Sequence, residues 1–305
     1  MPYIGTGVTI KPNPIGSSDT YAQTGTEWIK FWNEYRQYFS LLRAIANFDP
    51  AALDGTITHL RNAIPIWTTM GFTELLTGST IKPGTTLNSA NWTAYRNFVL
   101  TDDGSGNNEG FASFCSCNGI TLFCIGNELD ILTLSGYTLA DVRTLERTLA
   151  TDVKAVYPTM EIVLSVSQGG GAGSSDTLWI ADGNKGDINY MAINCYGSAS
   201  FSFATIASAW INQWGNNSMV TELNLPYTTT TTGAGGQNYK NFNRTKLGWD
   251  QIYGDMFIDR INYCKTLGAR SIYLYQYVWY TGLAAGDGLP LNFSCVKYSN
   301  DKYNY

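Results

Sequence analysis

Apolar and polar positions along this chain fall into alternating blocks. Short apolar runs bounded by glycine or by an abrupt polar stop read as strands buried on both faces. Between them lie longer segments with apolar residues every three or four positions, the spacing of an amphipathic helix. Residues 3–10 read as the first strand, and residues 27–39 as a helix with Trp28, Phe31, Trp32, Tyr35 and Phe39 on one side. Strand two covers 41–48, and a helix over 53–70 is expected to break near Pro65. Strand three reads as 72–76, followed by helical turns over 92–98 and a polar excursion over 102–110. Strand four is 120–128. The next helix is the best marked, with Thr138 able to cap it and Asp141 three residues on. Leu139, Val142, Leu149, Val153 and Val156 would form its buried face, and Pro158 closes it. Strand five (161–166), a short helix near Leu178, strand six (188–196), a helix over 203–214 and strand seven (219–222) come next. A long helix over 249–267, stopped by Gly268, leads into strand eight at 271–279.

Eight strand–helix steps without a break in composition predict an α/β protein, a single (β/α)8 TIM barrel over residues 1–305. Such a barrel takes ~250 residues, so the length fits. A doubly wound open sheet would carry a glycine-rich phosphate turn after strand one. Gly5-Thr6-Gly7 lies inside that strand and lacks a third glycine. Three irregular stretches, 11–25, 169–175 and 228–237, follow strands one, five and seven. In a barrel they lie on the C-terminal face, where they either build an active site or hang as loose tips.

Composition narrows the chemistry. Charged residues are 14% of the chain and the net charge is −5, with no basic run, which argues against nucleic acid as a partner. Thr, Asn, Ser, Gly and Tyr carry the polarity, which suggests an extracellular, particle-bound or cell-surface setting. No apolar run reaches the ~18 residues of a membrane span, and no signal peptide is visible at Met1-Pro2-Tyr3. A monomer is expected. The six cysteines have no zinc spacing: one residue separates Cys115 from Cys117, and there is a single histidine. Cys124 and Cys195, inside apolar strands, read as buried thiols; disulfides among Cys115, Cys117, Cys264 and Cys295 stay open.

His59, alone and on an outer helix, leaves nucleophilic Ser-His or Cys-His chemistry without a base. Carboxylates remain. Leu122-Phe123-Cys124-Ile125-Gly126-Asn127-Glu128 is an apolar run ending in Asn-Glu, and Met219-Val220-Thr221-Glu222 repeats the design on strand seven. Two strand-end glutamates across a barrel mouth suit retaining glycoside hydrolysis, which needs two carboxyl groups ~5–5.5 Å apart, one protonated and one ionised.

Asn127-Glu128 on strand four with Glu222 ending strand seven resembles glycoside hydrolase clan A, the retaining (β/α)8-barrel glycosidases. The Gly-Asn-Glu-x-Asp string is most similar to the endo-β-1,3-glucanase and galactanase branches. The resemblance implies Glu128 as acid/base, Glu222 as nucleophile and Asn127 as a hydrogen-bond partner of the sugar 2-hydroxyl. It implies Tyr196 as the tyrosine bonded to the nucleophile, Arg43 as the arginine that keeps it charged, and Trp279 as the aromatic floor of the −1 sugar site. Tyr227, on the loop beside Glu222, is a candidate sugar platform. The histidine that many clan members carry near the end of strand three has no counterpart here. Asp130, two residues past Glu128, either tunes the acid/base or caps the turn that follows, and the cap is the expected role. The resemblance implies no cofactor and no metal, and an endo-acting hydrolase of a neutral β-linked polysaccharide (glucan, galactan or mannan) as partner and substrate. The rival is a carbohydrate-binding or structural barrel without activity. A carboxylate metal enzyme would need further strand-end acids, of which Glu74 is the only obvious one.

Overall fold

A computed structural model describes residues 3–10, 39–51, 55–196, 202–223 and 259–277. Eight parallel strands close into a barrel: β1 (Tyr3–Ile10), β2 (Phe39–Phe48), β3 (Glu74–Ile81), β4 (Leu122–Asn127), β5 (Glu161–Ser167), β6 (Tyr190–Cys195), β7 (Ser218–Leu223) and β8 (Ser271–Tyr277). Each pairs in parallel with its sequence neighbours, and β8 pairs with β1 to complete the ring. The helices between them are α1 (Gly55–Trp67), α2 (Ser89–Leu100), α3 (Phe111–Cys117), α4 (Leu139–Val156), α5 (Ser175–Asp182) and α6 (Phe203–Trp214). Residues 259–266 are helical before β8, and Gly268 ends that helix at φ 94°. The (β/α)8 expectation is met.

Period-two alternation along the strands divides the core into two parts. Phe123, Ile162, Leu164, Ile193 and Val220 point outward and pack with Leu149, Trp179, Trp210 and Ile211 of the helices. Leu41, Leu76, Leu122, Cys124, Val163, Ala192, Met219 and Tyr273 form a separate cluster drawn from strands alone, which fills the barrel axis. Below it, at the N-terminal ends of the strands, Arg270 pairs with Glu74 at 2.6 Å, and the Tyr273 hydroxyl donates to the same carboxylate. Glu74 therefore belongs to a plug at the far end of the barrel from the strand-end acids.

Local departures from the expected elements have physical reasons. β3 runs to Ile81 because its polar residues are satisfied: Thr77 donates to the Ala44 carbonyl at 2.9 Å, and Ser79 meets the Tyr95 hydroxyl at 3.1 Å. Gly78 lets β4 approach, since a Cβ there would lie 2.0 Å from the Cys124 carbonyl oxygen. α1 continues past Pro65 to Trp67, although the proline has no N–H to give to the Arg61 carbonyl four residues before it. α3 falls in a stretch that the pattern left unassigned. Cys115, Cys124 and Cys264 are buried free thiols and Cys117 an exposed one, so the three described candidates for disulfides are unbridged; Cys195 is buried as well. Residues 27–38 of the expected helix and the loops 11–25 and 228–237 lie outside the described residues, and Phe39, expected to end that helix, opens β2.

α4 has its capping box, with Thr138 accepting from the Asp141 amide and Asp141 from the Thr138 amide. Its buried face is Val142, Glu146, Leu149, Ala150 and Val153, whereas Val156 is 56% exposed. Burial pushes the Glu146 carboxyl well above the usual range; the Asp130 charge adds to this, and Arg143 and Arg147 oppose it. An acid whose folded pKa is raised lowers stability progressively as pH climbs from its unfolded value toward its folded one. Glu146→Gln should therefore raise stability at pH 7–8, with the gain vanishing near pH 4. Thermal melts of both proteins across that range check it.

Candidate active site

The two glutamate-bearing strands both break their period just before the acid. In β4, Cys124 faces Val163 but Asn127 faces Ser165, so β4 holds one extra residue. In β7, Val220 faces Ile193 but Glu222 faces Asn194, again one extra. Such bulges re-aim a side chain. The result places Glu222 at the C-terminal mouth of the barrel, 7% exposed, next to the polar side chains of neighbouring strands.

Arg43 is the hub. It is 1% exposed in the middle of β2, and its guanidinium makes three bonds to other described residues. Nη1 donates to Glu222 Oε1 at 3.0 Å and to the Thr221 carbonyl at 3.4 Å, while Nη2 donates to Asn127 Oδ1 at 2.5 Å. The fork geometry of arginine allows this span, and a lysine could not reproduce it. The hydroxyl of Tyr196, directly after β6, donates to Glu222 Oε2. Tyr196 is fixed in turn: its amide donates to Gln168 Oε1 at 2.8 Å, and its carbonyl accepts from Arg260 Nη1 at 2.9 Å. Both Glu222 oxygens are thus aimed by charge-assisted bonds.

Asn127 ends β4. Thr80 anchors its backbone, with Oγ1 2.9 Å from the Asn127 carbonyl and 3.1 Å from its amide nitrogen. Arg43 and Asn194 converge on Asn127 Oδ1, which orients the amide with Nδ2 on the other side. Glu128 follows with φ 56° and ψ 40°, left-handed backbone that is rare outside glycine and asparagine. Its amide donates to the Ser165 carbonyl at 2.8 Å. Burial pushes the Glu128 carboxyl up to about 7; the Glu222 charge adds to the rise and so does Asp130, while a hydrogen bond from Asn194 and the Arg43 charge oppose it.

The structure therefore brings together Glu128, Glu222, Asn127, Arg43 and Tyr196. Trp279 and Tyr227 lie outside the described residues. Asn194 was missed by sequence reasoning. Fully buried on β6, it bonds Asn127, and its Oδ1 accepts from Ser165 Oγ at 3.0 Å and Thr221 Oγ1 at 2.9 Å. An asparagine between Ile193 and Cys195 in an apolar strand was the available signal, because a buried amide must find partners. Asp130 does not cap its own turn; it reaches across to Ser167 at the end of β5. The 169–175 stretch is tied down on the same face. Gly170 donates to Asp176 Oδ2 at 2.9 Å, and Ser174 Oγ to the Gly171 carbonyl at 2.6 Å. Among the described residues no three His, Cys, Asp or Glu side chains converge as metal ligands, and no helix is long and apolar enough to cross a membrane.

Chemically, the arrangement offers one carboxyl protonated near neutrality and a second locked by a guanidinium and a phenol. A general acid acts only while protonated. Loss of its proton near pH 7 should make kcat/KM of any acid-dependent reaction fall above that pH, about tenfold per unit. A pH–rate profile with an alkaline limb far from 7 would contradict the assignment of Glu128.

The fold is that of the (β/α)8 barrels, and solved structures of similar shape include glycosidases. The exo-β-1,4-mannosidase Op5Man5 from Opitutaceae bacterium strain TAV5 superposes with a TM-score of 0.55 at 13% identity. That match covers 98% of this chain and 59% of the mannosidase, so the chain spans less than two thirds of that protein's length. The Ignisphaera aggregans GH53 catalytic domain gives 0.57 at 16% identity, covering 92% of this chain and 82% of that one. The endo-1,4-β-mannanase of Rhizomucor miehei gives 0.57 at 9%, covering 98% and 95%. No family model matches the sequence, and no curated protein matches it.

Proposed function

We propose that the protein is a retaining glycoside hydrolase, with residues 1–305 acting as one catalytic domain. Glu222 attacks the anomeric carbon as Glu128 gives its proton to the departing glycosidic oxygen. A covalent glycosyl-enzyme forms. Glu128, now ionised, takes a proton from water, which displaces Glu222 from the same face that the leaving group left. Two carboxyl groups supply proton and nucleophile, so the reaction calls on no cofactor. Asn127 Nδ2 is the donor to the sugar 2-hydroxyl, and Trp279 and Tyr227 are the aromatic platforms of the cleft.

The observation that carries this reading is the bonding of Glu222 to both Arg43 and Tyr196 beside a Glu128 whose carboxyl is pushed up to about 7. Two acids of one type, driven to different roles by their surroundings, are the signature of acid/base assignment. The similarity in shape to mannosidase and mannanase structures supports the same class. A net charge of −5 suits a neutral β-glucan, galactan or mannan. Endo action, a monomer, and an extracellular or particle-associated setting complete the proposal. Reducing-sugar release from β-1,3-, β-1,4- and mixed-linkage glucans, galactan, mannan and xylan tests it, with Glu222→Gln alongside. Release by the unmodified protein alone supports the reading. Binding without release across the panel would favour the non-catalytic barrel.

A further inference from the structure

The turn that carries Glu128 is held from three sides. Leu129 is fully buried and packs so closely under Gly126 that a Cβ there would meet Leu129 Cδ1 at 2.9 Å. Beyond it, the short strand Thr133–Leu134 pairs in parallel with Thr86–Leu87 from the β3 loop, and the Ser135 amide donates to the Leu87 carbonyl at 2.9 Å. The third anchor is Asp130. Its Oδ1 accepts from the Ser167 amide at 3.3 Å and its Oδ2 from the Ser167 hydroxyl. Burial pushes the Asp130 carboxyl above its usual range, and the two Ser167 donors, one to each carboxyl oxygen, oppose that rise by favouring the ionised form. Left-handed backbone at a non-glycine residue is strained and persists only where its surroundings impose it. These anchors supply that constraint at Glu128.

We propose that Asp130 is a positioning residue for the acid/base: it staples the Glu128 turn to the end of β5 and sets a fixed negative charge beside the Glu128 carboxyl. This rests on the glycosidase reading. Around Glu128 stand Glu222 from β7, Arg43 from β2, Asp130 from its own turn and the neutral Asn194 from β6. Around Asp130 stand Asp176 from α5 and Glu146 from α4. The Asp130 and Glu222 charges both oppose ionisation of Glu128, and Arg43 favours it.

Asp130→Asn keeps the shape and an acceptor for the Ser167 amide but removes the charge. The alkaline limb of kcat/KM should move down by roughly half a pH unit, with activity at pH 5 within about threefold of the unmodified protein. Asp130→Ala, which also loses the staple, should lower kcat about 10–100-fold at every pH. An unmoved limb in Asp130→Asn would overturn the inference. A second readout needs no substrate: the Glu128 carboxyl, 13C-labelled and assigned with Glu128→Gln, is titrated by NMR in both proteins. A lower midpoint in Asp130→Asn without hydrolysis of any glycan would uphold the electrostatic role while the glycosidase reading fails. Equal midpoints would sink the inference whatever the activity. Should Asp130→Asn not fold, Ser167→Ala tests the staple alone, with kcat expected to drop about tenfold at little change in KM; an unchanged kcat would count against it.

Discussion

Glu222→Ala should lose hydrolysis by at least about 10^4-fold, equivalent to ~5.5 kcal/mol of transition-state stabilisation. It leaves the buried Arg43 without its counterion and should therefore also cost stability, although Asn127 Oδ1 and the Thr221 carbonyl still accept from the guanidinium. The clearest evidence for its role is the stereochemistry of rescue. Azide can occupy the space vacated by the carboxylate and attack an activated β-glycoside once, giving the α-glycosyl azide. In Glu128→Ala the glycosyl-enzyme still forms from a substrate with a good leaving group, and azide then attacks from the opposite face. That product is the β-glycosyl azide. The two variants should therefore yield opposite anomers, and the same anomer from both would reverse or remove the assignment.

Arg43→Met should carry the largest cost in stability. The guanidinium is 1% exposed and its partner Glu222 is buried with it. Removing one side of a buried ion pair costs about 3–5 kcal/mol, because the remaining charge has neither water nor a counterion. Methionine fills much of the arginine stem, so packing loss is small and the electrostatic loss dominates. The pairing can be separated from a general loss of structure by the double variant Arg43→Met/Glu222→Gln, in which no unpaired charge is left. Its chemical denaturation should recover much of what Arg43→Met loses. Simple addition of the two single losses would show that the pair is not the source of the cost.

How much of this was legible in the sequence depends on what each strand had to bury. β4, β6 and β7 announce themselves because both faces are covered and apolar runs result. β3 was read only at its start, over 72–76; it runs on through the polar Thr77-Gly78-Ser79-Thr80, whose burial depends on partners supplied by β2, β4 and α2. Glu146 escaped for a related reason: a carboxyl on the apolar face of α4 contradicts the hydrophobic pattern, and only the packing reveals it. Glu128, Glu222, Asn127, Tyr196 and Arg43 were readable from strand ends and from a resemblance. The aim of the side chains was not. Bulges in β4 and β7 shift the side-chain period by one residue just ahead of each acid, and nothing in Ile125-Gly126 or Val220-Thr221 signals that shift. The long-range reach of Asp130 to Ser167 was hidden likewise, since a local cap and a contact 37 residues away look alike in sequence.

The most direct test of the central claim is the anomeric form of the first sugar released, followed by 1H NMR on the best substrate in the glycan panel. A covalent intermediate on Glu222 predicts that the β-anomer appears first and the α-anomer only later, by mutarotation. The α-anomer appearing first would mean a single displacement by water, and would contradict the account.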